Sequence, residues 1–119
     1  MRIVTGVLCV LMLLFAGVQF NDPDGFFWMV VYGTGAVWTG LACFRTDLLD
    51  TGPARVLLWA NLAAACAGTV YFWPRSAGWW RVDVWWHTET AREGMGMMML
   101  VIVLLVVLYA CTKRKAAAS

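Results

Sequence analysis

Four long apolar runs constrain this chain more than any other feature of its sequence. They cover about residues 3–20, 26–44, 56–73 and 94–112. Each run is long enough to cross a hydrocarbon layer of about 30 Å, which takes roughly 20 residues of helix. A backbone in lipid must satisfy its own hydrogen bonds, and these runs are continuous rather than alternating in hydrophobicity. Each is therefore predicted to be a helix and not a barrel strand.

The composition agrees with insertion in a membrane. The chain has 119 residues, of which 62% are hydrophobic and 13% are charged. A water-soluble core of this size cannot bury so much apolar surface, and the length leaves room for one compact domain. We therefore predict an all-α fold, a four-helix integral membrane bundle over residues 1–119, with the lipid bilayer as its main partner.

The first apolar run has an alternative interpretation. Arg2 followed by apolar residues also resembles a secretory signal peptide, which is removed after targeting. No small-x-small cleavage pattern follows the run, and the run is long enough to span a membrane. We interpret it as the first helix of the bundle.

The distribution of Lys and Arg predicts the orientation, because short, positively charged loops are retained in the cytoplasm. With four spans, both termini share one side with most of the basic residues: Arg2, Arg45, Arg55, Lys113, Arg114 and Lys115. Arg75, Arg81 and Arg92 fall on the other side. We predict an N-in, C-in protein of a bacterial inner membrane or a plasma membrane, with residues 21–25 and 74–93 outside.

The predicted outer connection between helices three and four, residues 74–93, is rich in tryptophan. It holds Trp79, Trp80, Trp85 and Trp86 together with several polar residues. Tryptophan is enriched in the headgroup zone of membranes. We predict that this segment lies along the membrane surface as an interfacial anchor.

Predicted helix three carries Asn61 and a row of small residues at steps of four, Ala60, Ala64 and Gly68. Small residues let membrane helices approach closely, and an amide in lipid points into the bundle to find a partner. We predict that these residues pack within the bundle. The four cysteines show no C-x-x-C spacing and are interpreted as small apolar side chains.

Two polar clusters interrupt the apolar sequence, and the first is Gln19-x-Asn21-Asp22-Pro23-Asp24. Asp22 can cap predicted helix two, with Pro23 as its first residue and Asp24 in its first turn, where the helix dipole favours acids. Capping does not explain the glutamine or the second carboxylate. Capping alone and a ligand site are both open interpretations of this cluster.

The second cluster, H-x-E-x-x-R-E at residues 87–93, directly precedes predicted helix four. Thr90-x-x-Glu93 matches a capping box, which would start the helix about one residue later. If the helix begins earlier, Glu89 and Glu93 share a face, and Gly96 continues that face one turn deeper. A lone interfacial histidine is also common as a structural hydrogen-bonding residue.

Both clusters fall on the predicted outer side, so they can form one site. Four carboxylates near one imidazole and one guanidinium must protonate, separate or recruit a cation. Oxygen ligands suit calcium or magnesium, whereas histidine with carboxylates suits zinc or manganese. We predict a divalent-cation or polar-ligand site with the metal ligands Asp22, Asp24, His87, Glu89 and Glu93. Gln19, Asn21 and Arg92 are predicted to bind or orient the ligand.

The polar motifs resemble those of the transmembrane protein 220 family. They are Q-x-N-D-P-D at residues 19–24, W-x-V-V-Y at residues 28–32 and H-x-E-x-x-R-E-x-x-G at residues 87–96. The resemblance covers the first predicted hairpin and the start of predicted helix four. It implies a membrane protein with polar residues at these positions. It implies no particular biochemical activity.

Three classes of function follow from the sequence. The first is a membrane protein that binds a cation or polar ligand at the outer clusters. The second is a metal-dependent membrane hydrolase acting on a lipid headgroup or small amphiphile, in which Glu89 or His87 moves the proton. The third is a structural or assembly subunit, whose partner is a second copy of the chain or another membrane protein. The basic residues 113–115 are too few to predict a nucleic-acid surface.

Overall fold

The protein is entirely helical in the part of the chain that the structure describes. The computed structural model describes residues 2–20, 25–73 and 78–118, except for the side chains of residues 85, 86, 89, 90 and 116–118. Four long helices and two short ones follow one another along the chain: α1 (Arg2–Gly17), α2 (Gly25–Phe44), α3 (Thr46–Leu49), α4 (Gly52–Tyr71), α5 (Val82–His87) and α6 (Glu89–Ala118).

Helix α1 ends three residues before the predicted limit of the first run. After Gly17 the chain tightens into a turn, in which the amide of Gln19 donates to the carbonyl of Ala16 at 3.2 Å. The amide of Phe20 donates to the carbonyl of Gly17 at 3.3 Å in the same way. Such i to i−3 bonds satisfy the last carbonyls of a helix while ending its α-helical geometry.

Helix α4 begins earlier and ends earlier than the predicted range of 56–73. Thr51 caps it, because its hydroxyl accepts a hydrogen bond from the amide of Ala54 at 3.4 Å. Pro53 follows in the first turn, where its missing N–H costs nothing. The local capping chemistry therefore starts the helix before the apolar run does.

Helix α6 is much longer than the predicted range of 94–112, because its polar flanks are also helical. Glutamate, arginine, lysine and alanine are all good helix formers, so the helix continues beyond the apolar run at both ends. The predicted capping box was wrong as the start of this helix. Thr90 is the second helical residue, and the amide of Arg92 already donates to the carbonyl of Thr88 at 3.2 Å.

The four long helices pack in the spatial order α1, α2, α6, α4, so α2 and α6 are central. Helix α1 runs antiparallel to α2, since Cys9 Sγ donates to the Ala36 carbonyl at 3.4 Å and Phe15 packs on Tyr32. Helices α2 and α6 are parallel, as shown by two pairs of neighbours that advance together along both helices, Tyr32 with Gly96 and Gly35 with Leu100.

Helix α4 runs antiparallel to α6. A Cβ on Gly68, near the end of α4, would lie 2.9 Å from Met97 Sδ near the start of α6. We call the end where α1 and α4 finish and α2 and α6 begin the motif end. The opposite end, where Arg114 of α6 meets Asp50 just before α4, is called the basic end.

Three helices are long and apolar enough to cross a membrane by length and composition: Gly25–Phe44, Gly52–Tyr71 and Ala91–Lys115. Helix α1 is also apolar, but with 16 residues it is shorter than these three. By these criteria the described chain therefore has three candidate membrane helices and one shorter apolar helix.

The face of α4 that carries Asn61 packs as predicted, but part of its small-residue row does not. Trp38 of α2 donates its indole N–H to Asn61 Oδ1 at 3.1 Å, which joins two helices that otherwise touch little. Gly68 is half-buried beneath Met97, whereas Ala60 and Ala64 are exposed. Those two alanines lie on the opposite side of α4 from the neighbours that the described chain provides.

Candidate functional site

Two of the three sequence motifs meet at the contact between Tyr32 of α2 and Gly96 of α6. Tyr32 is the last residue of W-x-V-V-Y, and Gly96 is the last residue of H-x-E-x-x-R-E-x-x-G. A Cβ on Gly96 would overlap the Tyr32 hydroxyl and would lie 3.2 Å from Cζ of the same ring. Only glycine at position 96 leaves room for the phenol, so this contact sets the relative register of α2 and α6.

A layer of packed aromatic side chains lies next to the motif end. Tyr32 packs on Phe15 of α1 with ring centroids 5.7 Å apart, and on Trp28 at 6.0 Å. Trp28 in turn packs on Phe72, directly after α4, at 5.2 Å. Trp28 and Tyr32 are buried and lie one turn apart, so they form one face of α2. The layer therefore joins α1, α2 and the residue after α4, and Gly96 of α6 contacts it through Tyr32.

Glu93 lies immediately above the aromatic layer. It is three residues before Gly96 and hence on the same face of α6, one turn nearer to the motif end. The side chain is half-buried, and Gly96, one turn further along the helix, contacts the phenol of Tyr32. The helix start at Glu89 therefore places this glutamate on the same face of α6 as Gly96, which contacts α2.

The structure also describes three other residues of the predicted site, His87, Arg92 and Gln19. His87 is exposed at the last position of α5, which packs against α6, and Arg92 is exposed in the second turn of α6. Gln19 is half-buried, and its side-chain amide donates to the carbonyl of Phe15 at 3.3 Å. This hydrogen bond helps to cap α1 and satisfies one donor of the glutamine.

The remaining predicted ligands lie outside the described residues. These are Asn21, Asp22 and Asp24, and the side chain of Glu89. Where side chains are described, no group of three or more His, Cys, Asp and Glu residues is placed to hold a metal ion. Of the five predicted metal ligands, only His87 and Glu93 belong to that part of the chain, so the metal site stays a prediction.

The tryptophan-rich segment before α6 is partly helical and carries its own ion pair. Arg81 donates to Asp83 Oδ2 at 3.2 Å, with both side chains about two-thirds exposed. Trp79 packs edge-on against Trp73 and Trp80 at 5.9 and 5.6 Å. A charged surface beside clustered indole rings is consistent with the predicted interfacial position.

Sequence reasoning missed Tyr32 as a residue of the site. Its position in the W-x-V-V-Y motif was a signal, but nothing in the sequence pairs it with a glycine 64 residues later. The structure makes that pairing, and it joins the aromatic motif of the first hairpin to the acidic motif of the last helix.

The comparison with protein families gives a match that covers all of these motifs. A family model described as Transmembrane family 220, helix, matches residues 11–109. The chain belongs to transmembrane family 220. The match runs from within α1 to near the end of the apolar part of α6, and so includes Tyr32, Gly96 and both polar clusters.

Membership of transmembrane family 220 confirms the resemblance seen in the motifs and supports an integral membrane protein. It also extends the resemblance over α4 and the tryptophan-rich segment, where the motifs gave no match. Neither the curated proteins nor the solved structures provide a match to the chain. The chemistry of the site is therefore argued from its own residues.

Proposed function

We propose that this member of transmembrane family 220 binds a divalent cation or a small polar ligand at the motif end. The observation that carries the proposal is the parallel packing of α2 and α6, fixed by the contact between Tyr32 and Gly96. Parallel helices begin at the same end of a bundle. The proposed site therefore combines the aspartates that directly precede α2 in the sequence with the glutamates in the first turns of α6.

The charge balance at the motif end favours a cation. In the sequence, the segments that adjoin the helix ends there carry the carboxylates Asp22, Asp24, Asp83, Glu89 and Glu93 and the guanidinium groups Arg75, Arg81 and Arg92. The Arg81–Asp83 ion pair removes one charge of each sign, which leaves an excess of two carboxylates. An excess of negative charge beside a low-dielectric bundle is relieved by a bound cation or by protonation.

The proposed ligand set is that of a hard or borderline metal ion. Asp22, Asp24, Glu89 and Glu93 offer oxygen atoms for calcium or magnesium, and His87 adds a nitrogen that suits zinc or manganese. Gln19, Asn21 and Arg92 would then orient the ligand from the rim of the site. Glu93 is the best placed of these groups, because it lies on the same face of α6 as Gly96, which contacts Tyr32 of α2.

Metal analysis of the purified protein tests this proposal. We expect one equivalent of a divalent ion after dialysis, and loss of that ion in Asp22→Asn and His87→Ala. Asp83→Asn is the matched control, since it removes an acid from the same end but one that is paired with Arg81. Equal ion content in all four proteins, or no ion with any added metal, would contradict a site built from these residues.

We further propose that α1 is a fourth span and that both termini are cytoplasmic. The turn after Gly17 continues the rise of α1 to Phe20, so residues 2–20 approach the length of roughly 20 residues that a span needs. Six of the nine basic residues lie at the basic end, which favours a cytoplasmic position for it. A membrane-impermeant thiol reagent should then label Thr88→Cys in intact cells, and Lys115→Cys only after the membrane is opened.

Assembly is a second candidate function, and the surface of α4 favours it. In the apolar part of each candidate span, 17% is buried in α4, against 44% in α2 and 50% in α6. The exposed face of α4 includes Ala60, Ala63, Ala64 and Ala67, and small residues are typical of helix–helix interfaces in membranes. Mass measurement in detergent tests this candidate: Ala64→Leu should lower the mass of an assembly and leave a monomer unchanged.

A further inference from the structure

We propose that the basic end carries a binding site for the phosphate group of an anionic phospholipid, built by Arg55 of α4 and Arg114 of α6. Both guanidinium groups converge on one carboxylate oxygen, Oδ1 of Asp50. Arg55 approaches it at 3.1 Å and Arg114 at 2.6 Å. Two positive groups from different helices are therefore held together at a position that has one negative charge.

The arrangement leaves positive charge unbalanced at the surface. The side chains of Arg55 and Arg114 are 32% and 33% exposed, so both reach the surface beside the shared aspartate. The rest of the basic end adds to the excess. Its basic residues are Arg2, Arg45, Arg55, Lys113, Arg114 and Lys115, against the acids Asp47 and Asp50. Asp47 is itself paired with Arg45 at 3.1 Å.

The positions of the two arginines near the ends of the candidate spans favour a lipid phosphate over a soluble anion. Arg55 is the fourth residue of the candidate span Gly52–Tyr71, and Arg114 is the second-last residue of the candidate span Ala91–Lys115. Side chains that leave the ends of spanning helices extend towards the headgroup layer, where lipid phosphates lie. Arginine presents a planar fork of donors that matches a phosphate group with two hydrogen bonds.

The role of Asp50 distinguishes a lipid site from a cluster that only stabilises the fold. Its carboxylate holds the two guanidinium groups in place, but it also competes with an incoming phosphate for them. Removing its charge should therefore strengthen lipid binding, whereas removing either arginine should weaken it. A cluster that served only to fasten α3 and α4 to α6 would lose stability in all three variants, with no dependence on the lipid.

Thermal unfolding in nanodiscs tests the site with the full chain. In discs of phosphatidylcholine with phosphatidylglycerol added, the unfolding midpoint should be higher than in phosphatidylcholine alone. Arg55→Gln and Arg114→Gln should each lower the affinity for phosphatidylglycerol about five-fold, the equivalent of about 1 kcal/mol per basic residue. Asp50→Asn should increase the rise in midpoint, and Arg81→Gln, at the motif end, should leave the rise as it is in the parent protein.

Two further measurements keep the result decisive if a glutamine variant fails to fold. Arg114→Lys keeps the charge and should retain most of the rise in midpoint. Native mass spectrometry of the parent protein from mixed lipid should show retained phosphatidylglycerol in preference to phosphatidylcholine. The proposal is overturned by an equal rise in every variant, by no lipid preference in the parent, or by the same rise with inorganic phosphate in phosphatidylcholine discs.

Discussion

The hydroxyl of Tyr32 occupies the space that a side chain at Gly96 would fill, and this contact locks α6 against α2. The tyrosine is buried in an aromatic layer that includes Phe15 and Trp28, so it has little freedom to move aside. The contact explains why α2 and α6 begin at the same end of the bundle. It also offers a direct way to test the register of the bundle.

Gly96→Ala should destabilise the protein by about 1–3 kcal/mol, the usual cost of forcing an extra methyl group into a packed position. Tyr32→Phe removes the overlapping hydroxyl, so the double variant should recover much of that loss. Unfolding measurements on the four proteins of this double-mutant cycle give the coupling between the two residues. Gly33→Ala is the control, since a Cβ there meets nothing within 4 Å, and it should have a small effect.

The hydrogen bond from Trp38 to Asn61 should stabilise the contact between α2 and α4. Its length is 3.1 Å, and such side-chain bonds between membrane helices contribute on average about 0.6 kcal/mol in double-mutant cycles. We expect a coupling of that size between Trp38→Phe and Asn61→Ala in unfolding experiments. Thr69→Ala should show no coupling to Trp38→Phe, because the Thr69 hydroxyl donates within its own helix, to Ala65.

A disulfide should form between Cys43 and a cysteine placed at position 6. A Cβ on Gly6 would lie 3.3 Å from the sulfur of Cys43, close to the separation of about 3 Å that disulfide geometry requires. Mild oxidation of Gly6→Cys should therefore link α1 to α2 within one chain, as peptide mass spectrometry would detect. Gly17→Cys, whose Cβ meets nothing within 4 Å, should remain unlinked, and an equal yield at both positions would refute the register.

The pair formed by Arg45 and Asp47 should give a small pH dependence on the acidic side. The hydrogen bond from Arg45 holds the pKa of Asp47 below its ordinary value. A lowered folded pKa means that the stabilisation is present above the unfolded pKa and is lost as pH falls through the folded pKa. Both groups are exposed, so the effect on unfolding is expected to be slight. In Arg45→Gln, NMR titration should return the pKa of Asp47 towards its ordinary value.

The sequence predicted the positions of the long helices from the apolar runs alone. The predicted range of 26–44 differs from α2 by one residue at its start, because polar residues bound that run on both sides. The ends of α4 and α6 were harder to predict, since a helix extends wherever capping and helix propensity allow, even outside the apolar layer. The short helix α3 has four residues, too few to show any periodicity.

The candidate site could be predicted only as two separate segments. Residue types identified the acidic clusters, and the predicted topology suggested that they share one end of the bundle. The pairing of Tyr32 with Gly96 depends on the rotation and axial shift of two helices, which apolar runs do not encode. The outward position of Ala60 and Ala64 has a similar cause, because a row of small residues does not reveal which helix it faces.

The spatial order of the helices has a consequence for how the chain is assembled during synthesis. The α1–α2 hairpin is complete before α4 is made, but the main partner of α4 is α6, which emerges last. Among the described side chains, the finished hairpin offers α4 a hydrogen bond from the indole N–H of Trp38 to Asn61 Oδ1. The packing of α4 is therefore completed only when α6, the last helix to be synthesised, reaches its place beside it.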